Sequence, residues 1–314
     1  MEEALYSHLG FFNTDFVRSD KEGDFLTSPE VSKYFGKIIR NWINSESNLK
    51  NIIEIGSGTG SLIEQIGIKE ITAVELSSTA REELIKKGIN THTTIDELTI
   101  KTSDLIFGNE ILDNIPCSIG LYRDEGWYEK VVLLEETSLA YGLRPIRNEE
   151  LDWVNKNNIA PNEDYEFEIQ VNIDKFLNSV IKKINPGKIL LFDYGYEQQN
   201  RDKRMYSSLL RTYKNHHISV DPIEDPGNID ITYDVNFSSI SRELKYLGYD
   251  VTLKLQRDFL LDNGFNIFFD ELQEKYIAAE GIEKLKINSE LNGMKAIVDS
   301  NGLGGFYCLI AEKL

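Results

Sequence analysis

The 314-residue sequence is short of the groups that staple, metallate or anchor a chain. Its two cysteines, Cys117 and Cys308, lie far apart and in no C-x-x-C spacing, which excludes a disulfide framework and a cysteine zinc site. Both read as small buried hydrophobes. No stretch approaches the ~20 apolar residues that a bilayer span requires. The opening Met1-Glu2-Glu3-Ala4 is acidic and no apolar run follows it, so no signal or transit peptide is expected and the placement read from these residues is cytoplasmic. Basic residues are also in deficit, 34 Lys plus Arg against 52 Asp plus Glu, for a formal charge of −18. Such a field repels polyanions, which weighs against nucleic acid, and it favours a basic acceptor such as a peptide carrying Arg or Lys. His216 and His217 fall in a polar stretch with no second ligand cluster, so no metal site is expected.

What is present is the balance of a folded protein, 41% hydrophobic and 27% charged. Thr27 with Glu30 fits a capping box, and Ser28 with Pro29 fits a cap followed by proline at the first helical position. Val31, Tyr34, Phe35, Ile38, Ile39 and Trp42 then recur at three- and four-residue steps, the apolar stripe of a helix. Residues 51–55, 71–75, 104–108 and 188–192 are short apolar strands, and 306–311 reads as a final one. Helical patterns at 78–87, 148–156, 174–183, 238–247 and 258–264 alternate with them, which implies a parallel sheet. Residues 194–237 show little periodicity and read as a long functional loop.

Glu54-Ile55-Gly56-Ser57-Gly58-Thr59-Gly60 sits between a predicted strand and a predicted helix, the context in which a glycine turn lets a ligand approach the backbone. Its G-x-G-x-G spacing departs from the dinucleotide pattern and fits a methyltransferase turn. Glu75 ends the next strand, about 20 residues on, where a carboxylate accepts hydrogen bonds from ribose hydroxyls. A tight turn beside an incidental surface Glu accounts for the same residues without a cofactor.

Four separated motifs carry a resemblance beyond that turn: Gly23-Asp24-Phe25-Leu26-Thr27-Ser28-Pro29-Glu30, the glycine loop, Gly108-Asn109-Glu110-Ile111-Leu112-Asp113-Asn114-Ile115-Pro116, and Phe192-Asp193-Tyr194-Gly195-Tyr196. Weaker echoes run through residues 225–232, 235–237, Gln256 and 302–304. Together they resemble the MidA-like methyltransferases, a family that includes a mitochondrial complex I assembly factor acting on a protein arginine. Two departures stand out: Asn236 occupies the place of an aspartate in V-D-F, and Leu303-Gly304-Gly305 lacks the acidic residue that follows the family's last glycine.

The resemblance implies an α/β fold with a Rossmann-like class I methyltransferase core over residues 51–314. It also implies inserted segments near 137–185 and 195–237, appended helices near 265–293, and an N-terminal arm and capping helix over 1–50. S-adenosylmethionine is the implied cofactor, with Glu54, Gly56, Gly58, Gly60, Glu75, Thr27, Ser28, Pro29 and Asn109 expected to hold it. For Thr27, Ser28 and Glu30, helix capping explains the residue types equally well. Glu110, Asp113 and Asn109 are the expected catalytic group, because carboxylates past a core strand can take the planar fork of a guanidinium. A helix there would put Glu110 and Asp113 on one face, although acids that start a helix need no other reason. Glu30, Asp193, Tyr194 and Asp230 are the expected acceptor contacts, and a tyrosine beside glycine is also a common packed turn. The implied partner is a protein with an exposed arginine, such as a respiratory-complex subunit. A small-molecule methyltransferase and a cofactor-binding assembly protein with little catalysis are the alternatives, with an NAD-linked oxidoreductase more distant.

Overall fold

A computed structural model describes residues 1–13, 27–46, 49–99, 103–203, 209–214, 217–218 and 221–313. Gly23 to Leu26 and His216 therefore lie outside the described residues. Seven strands make the central sheet: β1 (Ile52–Ile55), β2 (Ile71–Val74), β3 (Thr91–His92), β4 (Ser103–Asn109), β5 (Ile184–Asp193), β6 (Asp250–Leu255) and β7 (Tyr307–Lys313). Their order is β6-β7-β5-β4-β1-β2-β3. β7 runs antiparallel to both of its neighbours, and the other pairings are parallel. The chain winds outward from β1 to β3 and returns on the far side of β1 as β4. That reversal opens a crevice beyond the carboxyl ends of β1 and β4, where open α/β sheets bind ligands.

The inner strands are apolar without alternation because both faces of the sheet are covered. On one face, helix α3 (Tyr34–Ser45) buries Phe35, Ile38, Ile39 and Trp42 together with residues of α9 (Gln256–Asp262), α10 (Phe265–Ala278) and α11 (Gly281–Ala296). On the other face, α7 (Val171–Ile181) packs Ile173, Leu177 and Val180, and α8 (Phe237–Tyr246) packs Phe237, Ile240 and Leu244. The capping helix expected in the arm is thus part of the core. It is also broken: α2 (Ser28–Val31) stops at Ser32, whose extended backbone (φ −150°, ψ 119°) precedes α3. Thr27 is the N-cap residue of α2, but its side chain makes no capping hydrogen bond.

Two segments differ from their sequence expectations. A four-stranded antiparallel sheet spans Ser118–Arg123, Gly126–Glu135, Ser138–Pro145 and Glu166–Ile169. It begins ahead of the segment expected to be inserted at 137–185, and the second half of that segment supplies α7 to the core. Helix α6 (Asn148–Lys156) seals this sheet with Trp153 and Val154 against Phe167 and Ile169. Residues 194–237, expected as a loop, contain short paired strands: Leu210–Lys214 pairs with Asp230–Tyr233, and Gly195–Tyr196 with Val235–Asn236. Buried polar residues such as Arg211, Thr212, Asp230 and Thr232 interrupt these strands, so no apolar alternation betrays them. The 3-10 turn at Gln198–Lys203 adds further structure there.

Helix α1 (Glu2–Tyr6) and the turn at Phe11–Asn13 lie against that segment, with Leu5 and Phe11 buried on Ile229 and Ile231. Among the described residues no helix is long and apolar enough to cross a membrane.

Candidate functional site: a cleft at the sheet reversal

A cleft of about 340 Å³ lies where the topology predicts it, lined from the ends of β1, β2 and β4, from α2 and from the N-terminal arm. Its volume is in the range of small-molecule sites. The glycine loop forms one side. Gly56, Gly58 and Gly60 adopt φ values of +69°, +50° and +82°, a region that side chains avoid. At Gly56 a Cβ would also meet the Ile111 side chain at 2.3 Å, so the loop after β4 rests directly on this turn. Gly60 starts α4 (Ser61–Ile66) from the left-handed conformation and faces Leu84 and Ile89, behind the cleft wall.

Glu75, past β2, lines the cleft, and its two carboxylate oxygens accept from the backbone N–H of Gly58 and of Ser77, each at 2.8 Å. It therefore fixes the glycine loop as well as facing the position expected for a ribose. Leu76, Ser77, Ala80 on α5 (Ser78–Lys86) and residues 93–95 continue the wall past β2 and β3.

The other side is carboxylate-rich. β4 ends at Asn109, and Glu110 takes φ +52°, a conformation uncommon for any residue but glycine, so the expected helix is absent and Glu110 and Asp113 share no helical face. The sequence hides this, since the pull comes from Ile111 seated on Gly56 and Gly108. The Glu110 amide donates to the Phe192 carbonyl at 2.8 Å, which ties the turn to β5. Its Oε1 accepts from Asn109 Nδ2 at 2.9 Å and from the Ser28 amide at 3.1 Å. Ser28 is held in turn by Gln256, whose Nε2 donates to Ser28 Oγ at 3.1 Å and to the Ile297 carbonyl at 3.0 Å. Ser28 thus acts from behind the wall, while Thr27, Pro29 and Glu30 line it. Gln256, an echo in the sequence with no assigned part, anchors this arrangement.

Asp113 is buried and accepts from the Tyr194 hydroxyl; among the described residues its Oδ1 has no hydrogen-bond partner. Asp193 is fully buried and faces inward, where its carboxylate accepts from the amides of Leu112 (2.7 Å), Asp113 (3.3 Å) and Tyr194 (2.9 Å). It shapes the loop that carries Asp113. Arg211 lies over the Tyr194 ring at 4.9 Å and pairs with Asp234 at 2.9 Å. Asp230 accepts from Asn114 Nδ2 at 2.9 Å, and Asn114 lines the cleft. Tyr233 donates its hydroxyl to the carbonyls of Leu112 (3.0 Å) and Ile115 (2.7 Å). Asn236, the departure from V-D-F, caps α8 by accepting from the Ser239 amide at 3.1 Å, a task that Asn and Asp perform equally.

Burial dominates the electrostatics. It pushes the Glu110 carboxyl up to about 7, against the hydrogen bonds from Asn109 and Ser28 and with help from the Asp113 charge. It lifts Asp113 to about 6, opposed by the Tyr194 hydroxyl and Arg211. Burial also raises Glu54, Glu75 and Asp193. Among the described residues Glu54 Oε2 and Asn109 Oδ1 are buried acceptors without partners, and both residues line the cleft. A buried unpaired acceptor is costly, so these two atoms call for a ligand that brings hydrogen-bond donors and positive charge. S-adenosylmethionine has both, in its α-ammonium group and sulfonium, and the glycine turn offers the close backbone approach its backbone-facing part requires.

The family described as "Putative S-adenosyl-L-methionine-dependent methyltransferase" matches residues 35–252. The chain belongs to this MidA-like family. It is an S-adenosylmethionine-dependent methyltransferase of class I fold. A mitochondrial protein named as an arginine methyltransferase NDUFAF7 homolog in Caenorhabditis elegans is 25% identical over 305 residues, covering 83% of this chain and 70% of its own length. The Danio rerio protein arginine methyltransferase NDUFAF7 is also 25% identical, over 85% of this chain and 72% of its own. A superfamily member from Burkholderia thailandensis, solved with S-adenosyl-homocysteine bound, superimposes with a TM-score of 0.86 at 22% identity, covering 99% of this chain and 86% of that one. The relatives are named as mitochondrial proteins, which overturns the cytoplasmic placement read from the acidic first residues. Local charge near residue 1 reports a local pattern and not a compartment.

Residues missed by the sequence reading also line the cleft: Tyr6, Phe12, Asn114 and Phe176. None belongs to a glycine or acidic motif on a core strand except Asn114, which closes the N-E-x-x-D stretch.

Proposed function

We propose that this methyltransferase modifies a guanidinium nitrogen of an arginine in a protein. The observation that carries the reading is the pair Glu110 and Asp113 on one strap after β4: the first is half-buried and lines the cofactor cleft, and the second is buried behind it. A planar cation with five N–H donors suits such a pair, and desolvated carboxylates favour a cationic guest. The names of the curated relatives support the same acceptor. The family resemblance puts a respiratory-complex subunit first among candidate substrates.

Bound S-adenosylmethionine supplies an electrophilic sulfonium methyl; its transfer to nitrogen leaves a thioether and frees one proton from that nitrogen. Glu110 takes the proton. A carboxyl raised to about 7 is well matched to receive it near neutral pH. Asp113, held by Tyr194, orients the guanidinium, while Asp193 and Tyr233 keep the strap from moving. Glu54 and Asn109 receive the cofactor's donors, and the glycine turn sets the depth at which it lies.

The test is methyl transfer from labelled S-adenosylmethionine into protein extract of the native host, with mass-spectrometric location of the label. Label on arginine, lost in Gly58→Val, supports the reading. Label in small molecules alone, or on another residue type, rejects it, and cofactor binding without label anywhere points to an assembly protein.

A further inference from the structure

The carboxylates account for the charge of the acceptor but leave one wall of the cleft without a task. That wall is the N-terminal arm. Tyr6 and Phe12 line the cleft with ring centroids 5.5 Å apart and planes 22° from parallel. Phe11 packs its edge on Phe12 at 5.1 Å and is itself buried on Ile229 and Ile231. The Tyr6 hydroxyl donates to the Asn114 carbonyl at 3.2 Å, and Leu112 and Ile115 of the same loop accept from Tyr233. The rings are therefore fixed to the strap that carries Glu110 and Asp113. The far end of the cleft, past β2 and β3, is built from Leu76, Ala80 and Ile95, so a wall for the adenine base exists without the arm.

We infer that Tyr6 and Phe12 form the aromatic wall against which the cationic side chain of the methyl acceptor lies, which makes the arm a specificity-determining element. The inference rests on the guanidinium reading above. Aromatic faces attract planar cations, and the attraction grows when both partners are desolvated. Burial first, and then the charges of Asp113, Asp230 and Glu75, push the Tyr6 hydroxyl well above its ordinary value, so the ring lies near carboxylates. A cation placed there meets π-faces on one side and carboxylates on another. A neutral side chain of the same shape finds no such match.

The experiment uses full-length protein saturated with S-adenosylhomocysteine, titrated with N-acetyl-arginine amide or with its neutral isostere, N-acetyl-citrulline amide, and followed by ligand-observed NMR. The arginine probe is expected to bind and the citrulline probe to bind at least about fivefold more weakly. Tyr6→Leu and Phe12→Leu, which keep apolar bulk, are each expected to weaken the arginine probe about tenfold, in line with a desolvated cation–π contact. Affinity for S-adenosylhomocysteine should change less than about threefold in both, which also shows that the cleft still folds, and Tyr6→Phe should retain the probe. Equal arginine affinity in wild type and both Leu variants overturns the wall and leaves the guanidinium reading intact. Equal binding of citrulline, or a parallel loss of S-adenosylhomocysteine affinity in both variants, also overturns the wall. No arginine binding to the wild type overturns the guanidinium reading and the wall with it.

Discussion

The two sides of the cleft are built from different materials. The proposed cofactor side is mostly backbone: three glycines at positive φ, a turn packed under Ile111, and two carboxylates, Glu54 and Glu75, the second of them spent on the Gly58 and Ser77 amides. The proposed acceptor side is mostly charged side chain: Asp113, Asp193 and Arg211 are buried and Glu110 half-buried, the three carboxylates accept from Asn109, Ser28, Tyr194 and the strap amides, and Arg211 pairs with Asp234. Backbone geometry is intolerant of added atoms and indifferent to pH. Buried carboxylates tolerate isosteric replacement of shape but respond sharply to the loss of charge.

The largest expected effect comes from breaking the backbone side. Gly58→Val places a β-branched residue at φ +50° in the turn, and S-adenosylhomocysteine affinity should fall at least about 100-fold by calorimetry while the fold persists by circular dichroism. Unchanged affinity would remove this loop from the cofactor site.

The acceptor side should reveal itself through pH. Glu110 must be ionised to take a proton, and its folded value is raised to about 7, so kcat/KM for the acceptor should fall roughly tenfold per unit as pH drops below 7 and level off above it. Asp113, raised to about 6, steepens the fall below that point. A flat profile between pH 6 and 8 would contradict the assignment.

Smaller effects separate positioning from chemistry. Tyr194→Phe removes the hydroxyl that favours the ionised form of Asp113, so the acidic limb should move to higher pH and kcat should drop about five- to tenfold with little change in cofactor affinity. Gln256→Leu leaves Ser28 Oγ without its anchor and should cost on the order of 1–3 kcal/mol of stability, read by denaturant unfolding, with a milder loss of turnover.

The same contrast explains what the sequence could disclose. The glycine loop, Glu75 and the strands around them were legible because their periodicity and spacing are local properties of consecutive residues. Asn109, Glu110 and Asp113 were legible as a motif, but not the turn that carries them: the left-handed Glu110 depends on Ile111 packing against a glycine more than fifty residues earlier. Arg211 and the paired strands at Leu210–Lys214 and Asp230–Tyr233 bury polar side chains against one another, which defeats a reading based on apolar alternation. Tyr6 and Phe12 reach the site only because Leu5 and Phe11 dock on Ile229 and Ile231, a contact between chain segments too distant for any local pattern to register. The compartment is not legible for a different reason, since no packing or chemistry in the first residues encodes it.

The most direct measurement compares Glu110→Gln with wild type in two assays on the same preparation, S-adenosylhomocysteine affinity by calorimetry and single-turnover methyl transfer at saturating cofactor. Glutamine keeps the size of the side chain and an acceptor oxygen for Ser28 and Asn109 but cannot take a proton. Affinity within about threefold of wild type with turnover reduced by about 10² or more, the usual span for loss of a general base, is the predicted result. Equal turnover, or turnover and affinity falling together, would contradict the division of the cleft into a backbone-built cofactor side and a carboxylate-built acceptor side.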